Sequence, residues 1–306
     1  MKKITLCIAM ALFLANVAMA QKTLNHQTPK GTITMENLLK YRSEFDNLGK
    51  IYPASKKVRQ EKVLLHEITC YWFRPVQPIQ DKIAIYLHGG SFALGSINSH
   101  RALVSNMAEQ LNMSILFVEY GLAPENPYPQ GILDAKQVYG SIQKSYSDKE
   151  IILIGDSAGG GIAISLLDEL KNTGFPAPEK LVLISPWVDI ACSHPSITGN
   201  ASIDPILSRD ELLKFTNLYA ASEGVARANP LRVVHNISFP STLIMAGTNE
   251  ILLDDSKVLY QALKEKKAAV KLHIYEEQTH VWLLTDFSSD AALKSIEDLK
   301  AFVLSK

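Results

Sequence analysis

Ser157 has a glycine two residues away on either side, in Gly155-Asp156-Ser157-Ala158-Gly159, and it is the first place where residue type and spacing point to chemistry. The apolar run Ile151–Ile154 precedes it and a helix-forming stretch, Gly161–Leu170, follows, so Ser157 falls on a strand-to-helix turn. Such a turn crowds its neighbours, hence the glycines, and aims the serine hydroxyl outward as a nucleophile. It also sets the backbone N–H of Ala158 at a helix N-terminus, where it can stabilise charge developing on a carbonyl oxygen. Upstream, His88-Gly89-Gly90 closes the strand-like run Ile83–Leu87. Consecutive glycines expose backbone N–H groups, as an oxyanion-binding loop opposite the serine requires. His88 precedes the nucleophile and ends a strand, so it reads as a structural hydrogen-bonding residue rather than a base.

A serine nucleophile needs a general base, and the base needs a carboxylate to fix its tautomer; for this turn the chain order is Ser, acid, His. His280 follows the strand-like Val270–Tyr275 by a short loop, where a base must stand, whereas His273 alternates within that strand. For the acid, Glu250 comes soon after the run Thr242–Ala246 and is favoured, with Asp254 as competitor. Asp254 and Asp255 also fit the first turn of the next helix, where the helix dipole favours carboxylates. No histidine pair has metal-ligand spacing, no C-x-x-C occurs, and no lysine follows Gly159-Gly160-Gly161 as a phosphate loop would need. The residues therefore imply neither a metal nor an organic cofactor. Tyr71, Trp72, Trp187 and Trp282 read as core or pocket wall, Trp282 being the candidate for the pocket.

The elements that must hold these residues alternate. Strand-like runs are Val63–Phe73 (broken or bent), Ile83–His88, Ser114–Glu119, Ile151–Gly155, Leu181–Ser185, Thr242–Ala246 and Val270–Tyr275. Helical periods cover Ser99–Leu111, Gly131–Lys144, Ala158–Lys171, Leu253–Lys266 and Ser288–Leu304. The central runs are continuously apolar, as strands buried on both faces are, which predicts an α/β fold with a largely parallel sheet covered on both sides. Two stretches break the alternation: an amphipathic segment at Met35–Ile51, and Pro195–Gly224 with its helical Ser208–Ala221. Both are expected to cap the C-terminal edge of the sheet, where open α/β folds bind ligands. The cap elements span roughly residues 30–58 and 195–225.

Lys2 and Lys3, the apolar run Ile4–Val17 and Ala18-Met19-Ala20 have the layout of an export signal cleaved before Gln21. The run is shorter than the ~20 residues of a spanning helix. The expectation is an exported protein, periplasmic or extracellular, made of residues 21–306 and with no stable membrane insertion after cleavage. Lys and Arg number 31, as do Asp and Glu, so net charge is zero and offers no footprint for nucleic acid. Cys70 and Cys192 are expected as buried free thiols rather than a pair. Nothing selects between a monomer and a homodimer.

Several of these segments match a known family. The chain resembles the bacterial hormone-sensitive-lipase-like esterases of the α/β-hydrolase superfamily over roughly residues 60–304. His88-Gly89-Gly90 is similar to the family's oxyanion motif, Gly155–Gly160 to its nucleophile motif, and Glu119–Pro129 to its D-Y-R-L-A-P-E-x-P-F-P signature. Ser185-Pro186-Trp187 with Asp189 is a further hallmark. Gly89–His100, Ser185–Cys192, Glu250–Ser256 and His280–Trp282 are particularly similar to its ε-lactone hydrolases and their esterase relatives. The resemblance implies an eight-stranded sheet with a small helical cap, and Ser157, Glu250 and His280 as catalytic residues. It also implies oxyanion donors among the amides of Gly89, Gly90, Ser91 and Ala158. Three departures stand out. Ser91 replaces a third glycine. Gly121 stands where an arginine is usual, so an ion pair there is not expected. Val281-Trp282 replaces Gly-Phe and should reshape the pocket.

The expected activity is hydrolysis of short-chain acyl esters through an acyl-enzyme, with a small-molecule ester as partner. Alternatives are a lactone hydrolase, a carbohydrate acetyl esterase and, from another class, a non-catalytic binding protein on the same fold.

Overall fold

The computed structural model describes residues 33–305, so the expected export signal lies outside the described residues. The sheet has eight strands: β1 Val58–Leu65, β2 Ile68–Pro75, β3 Lys82–Leu87, β4 Ser114–Val118, β5 Glu150–Asp156, β6 Lys180–Ile184, β7 Ser241–Asn249 and β8 Val270–Thr279. Their order is β1-β2-β4-β3-β5-β6-β7-β8. β2 runs antiparallel to both neighbours, and every pairing from β4 through β3 to β8 is parallel. The expected α/β fold with a largely parallel sheet is the one observed.

Alternate residues of the central strands feed two separate cores. Ile85 and Leu87 of β3, Leu153 of β5 and Leu183 of β6 pack on one face, while Ala84, Tyr86, Ile152, Ile154, Val182 and Ile184 pack on the other. This period-two division explains the unbroken apolar runs, because both faces are buried. Helices α3 (Gln130–Ser145), α4 (Ala158–Leu170) and α6 (Leu253–Glu265) supply the first core. Helices α2 (Ile97–Leu111) and α7 (Asp290–Leu304) supply the second. Helix α2 starts two residues before the expected Ser99, because Ser96 and Ser99 close a capping box; Asn112 ends it in a left-handed conformation.

The broken strand Val63–Phe73 proves to be a hairpin. His66 and Glu67 both have positive φ, as the tight turn between β1 and β2 requires. β1 is an edge strand and Arg59 to Lys62 are exposed on it, so its sequence carries no apolar alternation to read. Two segments stand outside the alternation. Helix α1 (Met35–Asp46), capped by Thr34, continues into a 3₁₀ turn at Asn47–Lys50. The stretch between β6 and β7 carries the short helix Ser196–Gly199 and helix α5 (Arg209–Ala220), whose N-cap is Ser208. Cys70 and Cys192 are buried free thiols, and burial pushes both up to about 12.

Candidate active site

Strand β5 delivers Ser157 to the turn before α4 with φ 48° and ψ −120°, a strained backbone for a residue with a side chain. The turn is held from below: Ser157 N–H donates to Ile184 O (2.9 Å), and its carbonyl accepts from Trp187 N–H (2.9 Å). The glycines fit because nothing else does. A Cβ at Gly155 would lie 2.6 Å from Gly159 O, and one at Gly159 would lie 2.0 Å from Leu87 O. The motif thus records the close passage of β3, β5 and α4.

His280 comes off the end of β8 and Glu250 off the end of β7. His280 Nε2 stands 2.8 Å from Ser157 Oγ, and its Nδ1 stands 2.7 Å from Glu250 Oε2. The competing residues point elsewhere. Asp254 accepts from Ser196 N–H (2.9 Å), and His273 Nδ1 faces Asp298 at 3.3 Å. Asp255 does more than serve a helix dipole: fully buried, it accepts from Val188 N–H (2.8 Å), Asp189 N–H (2.9 Å) and His194 Nδ1 (2.8 Å).

Glu250 is also fully buried, where an unpaired carboxylate would cost several kcal/mol. Beside His280 it accepts from Gly247 N–H (2.7 Å) and Ser185 Oγ (3.0 Å), both at Oε1. Burial works against a charged imidazole at His280, but the hydrogen bond and charge of Glu250 outweigh it. With smaller contributions from Asp204 and Asp156, they hold the His280 pKa above its ordinary value. Two residues without any sequence signal brace the acid loop. Asp204 Oδ2 accepts from Ile251 N–H (2.7 Å), and the Asn200 amide donates to Glu250 O (2.8 Å). Ser185 had a signal, its place in Ser-Pro-Trp, but not a role.

The oxyanion loop corrects one expectation. Gly89 N–H donates to Asp156 Oδ1 at 3.0 Å, so this amide is committed and does not face the reaction centre. The amides of Gly90, Ser91 and Ala158 donate to no acceptor among the described residues. Gly90, Ser91 and Phe92 all have positive φ, and Gly90 and Ser91 line the cavity that Ser157 opens into. Asp156 is buried behind this loop and also accepts from Tyr86 Oη (2.9 Å). Burial acts against its charge, but the proximity of His100, at 3.5 Å, and the Tyr86 bond hold its pKa below the usual carboxylate range. His88 is fully buried, stacked 4.5 Å from Tyr120, and burial pulls it down to about 3, so it is neutral and structural.

The cavity has a volume of about 180 Å³. Ser157, His280 and Val281 line it together with Tyr41, Phe45 and Leu48 from the N-terminal segment and Leu207, Leu212 and Phe215 from the 195–225 stretch. Trp282 is absent from that lining: it is buried, 5.0 Å from Tyr275, in the core under α7. Val281 is the pocket residue of the pair, with φ 45° and ψ 49°, left-handed for a β-branched side chain. The loop that carries Gly121 is pinned by an ion pair from α1. Arg42 of α1 binds Glu125 through two 2.7 Å contacts and also donates to Ala93 O (2.8 Å) and Ala123 O (2.9 Å). No group of three or more His, Cys, Asp or Glu side chains able to hold a metal ion occurs among the described residues. No helix among them is long and apolar enough to cross a membrane.

A serine on a strand–helix elbow, with an acid and a histidine on later loops of one parallel sheet, defines the α/β-hydrolase class. The α/β-hydrolase fold profile matches residues 84–284. An acetyl-hydrolase of Streptomyces hygroscopicus is 33% identical over 266 residues, which cover 85% of each chain. An esterase of Acinetobacter venetianus is 33% identical over 245 residues, 79% of each. The crystal structure of an esterase from the bacterial hormone-sensitive lipase family superposes with a TM-score of 0.87 at 26% identity, covering 95% of this chain and 96% of that one. The chain belongs to this family, as a carboxylic-ester hydrolase of the hormone-sensitive-lipase-like branch.

Proposed function

We propose that Ser157, His280 and Glu250 form the catalytic triad of this esterase and that it acts on small soluble esters of short acyl chains. The observation that carries the reading is the continuous chain of contacts, 2.8 Å from Ser157 to His280 and 2.7 Å from His280 to Glu250, opening into a small, partly open cavity. Ser157 Oγ attacks the ester carbonyl carbon while His280 Nε2 takes the hydroxyl proton. The tetrahedral oxyanion is stabilised by the free amides of Gly90, Ser91 and Ala158. Collapse breaks the carbon–oxygen bond to the alcohol, and His280 returns the proton to the departing alkoxide. A water molecule then attacks the acyl-enzyme with His280 again as base, releasing the carboxylic acid and restoring Ser157. Glu250 keeps Nδ1 protonated and stabilises the imidazolium.

Substrate size follows from the cavity. A chamber of about 180 Å³ suits an acetyl or butyryl ester and leaves no surface for a lipid droplet. The Streptomyces relative is an acetyl-hydrolase, which favours the short acyl reading. Lactones and acetylated carbohydrates are further substrates of the same chemistry. In this reading the 33–58 and 195–225 segments act as one cap, since residues of both line the chamber that Ser157 opens into. Residues 1–20 act as a cleaved export signal, on the pattern of Lys2, Lys3, Ile4–Val17 and Ala18–Ala20. Incubation with a fluorophosphonate followed by peptide mass spectrometry tests the triad. The expected result is one adduct, on Ser157; a folded protein that does not label would favour a non-catalytic binder.

A further inference from the structure

The chamber that holds Ser157 is apolar in most of its wall, which makes the two carboxylates it has besides Asp156, the neighbour of Ser157, conspicuous. Glu44 enters from α1 and Glu211 from the first turn of α5, and both line the cavity. Tyr41, Phe45 and Phe215 stand with them, and the rings of Tyr41 and Phe215 meet edge to face at 6.3 Å. Among the described residues no lysine or arginine lines this chamber, and the one basic side chain in its lining is His280. Aromatic faces and carboxylates around one enclosed space attract a cation by quadrupole and by charge. They repel an anion by the same terms.

We infer that Glu44 and Glu211, set among the rings of Tyr41, Phe45 and Phe215, make this esterase selective for esters that carry an ammonium group. The inference rests on the triad reading, because it takes the chamber as the substrate site.

Each carboxylate has a local partner, and neither partner lines the chamber. Glu211 meets its N-cap Ser208 at 3.3 Å, and Lys214 acts on its charge from further along α5. Glu44 lies 3.9 Å from Lys40, whose side chain is 66% exposed and so is solvated rather than committed. The fields of both carboxylates converge on one group. Burial raises the Tyr41 phenol, and the charges of Glu211 and Glu44 add to the shift, which places both carboxylates within reach of that phenol. Burial pushes the Glu211 carboxyl above the usual carboxylate range, and a cation in the chamber would favour its charged form.

The test compares kcat/KM across charge at constant shape. Choline acetate is set against its neutral isostere 3,3-dimethylbutyl acetate, and the methyl ester of 4-(trimethylammonio)butyrate against methyl 5,5-dimethylhexanoate. The expected result is a preference of about tenfold or more for the cation in at least one pair. That preference should shrink as salt is raised, and it should fall toward one in a Glu44→Gln/Glu211→Gln double variant. Monoethyl succinate should be the poorest ethyl ester. Equal rates for cation and isostere in both pairs would overturn the inference, whether or not the double variant folds. Turnover of the neutral isosteres is the internal control: if they are hydrolysed without charge preference, the triad reading stands and only this inference fails.

Discussion

The hydroxyl of Ser185 donates to Glu250 Oε1 at 3.0 Å and accepts from the Val281 amide at 3.2 Å. One fully buried serine therefore ties the loop of the acid to the loop of the base. Its backbone N–H is fixed in turn to Met245 O (2.7 Å). Ser185 touches neither Ser157 nor the chamber, so it acts by positioning.

Ser185→Ala should lower kcat by about 10- to 100-fold, the worth of one hydrogen bond to a buried carboxylate. KM for p-nitrophenyl butyrate should hardly change. Steady-state kinetics with circular dichroism on the same sample checks this. An unchanged kcat would remove Ser185 from the machinery.

The pH profile follows from the His280–Glu250 pair. The base works only as the neutral imidazole, so kcat/KM should rise with pH through the pKa of His280. That pKa is held above the ordinary imidazole value, which moves the acid limb upward. Glu250→Gln removes the negative charge and the fixed tautomer. Its limb should shift to lower pH, and kcat should fall by roughly 10⁴-fold, as when the acid of such a triad is neutralised. A limb that does not move would sink the assignment of Glu250.

Val281 holds a left-handed backbone beside the base, which costs a side-chain-bearing residue about 1–2 kcal/mol. Val281→Gly relieves that strain and loses a buried side chain worth about 1.5–3 kcal/mol, so the stability change is small. The chamber wall recedes, and the ratio of hexanoate to acetate hydrolysis should rise by roughly 10-fold. An acyl-length panel reads this directly; an unaltered ratio would mean Val281 does not limit the acyl chain.

Arg42 locks α1 to the oxyanion loop through the Ala93 carbonyl and to the loop of Gly121 through the Ala123 carbonyl and Glu125. The Glu125 side chain is 44% exposed, so the ion pair itself is discounted for solvent and the two carbonyl bonds carry most of the effect. Arg42→Ala should cost about 1–2 kcal/mol, a few degrees in Tm for a chain of this size. It should raise KM more than it lowers kcat, because α1 is chamber wall. Calorimetry and kinetics on one preparation separate the two.

What could be read ahead of the structure was whatever local sequence determines. Ile151–Ile154, the elbow glycines and the helix after them form one continuous segment, so Ser157 was legible at once. His280 and Glu250 were legible because their strands were, and chain order did the rest. Gly89 misled because a glycine pair announces exposed amides but not which of them another loop will occupy; Asp156 takes the first. Arg42, Asn200 and Asp204 were invisible for a related reason: each acts on backbone far away in sequence. Trp282 and Val281 were read as a pair, but the left-handed turn at Val281 sends one to the chamber and the other to the core.

The most direct test of the account is hydrolysis of p-nitrophenyl butyrate by Ser157→Ala, with the fold checked by circular dichroism and thermal melting. The expected result is a kcat lower by roughly 10⁴- to 10⁶-fold with an intact fold. A folded Ser157→Ala protein turning over near the parent rate would contradict it.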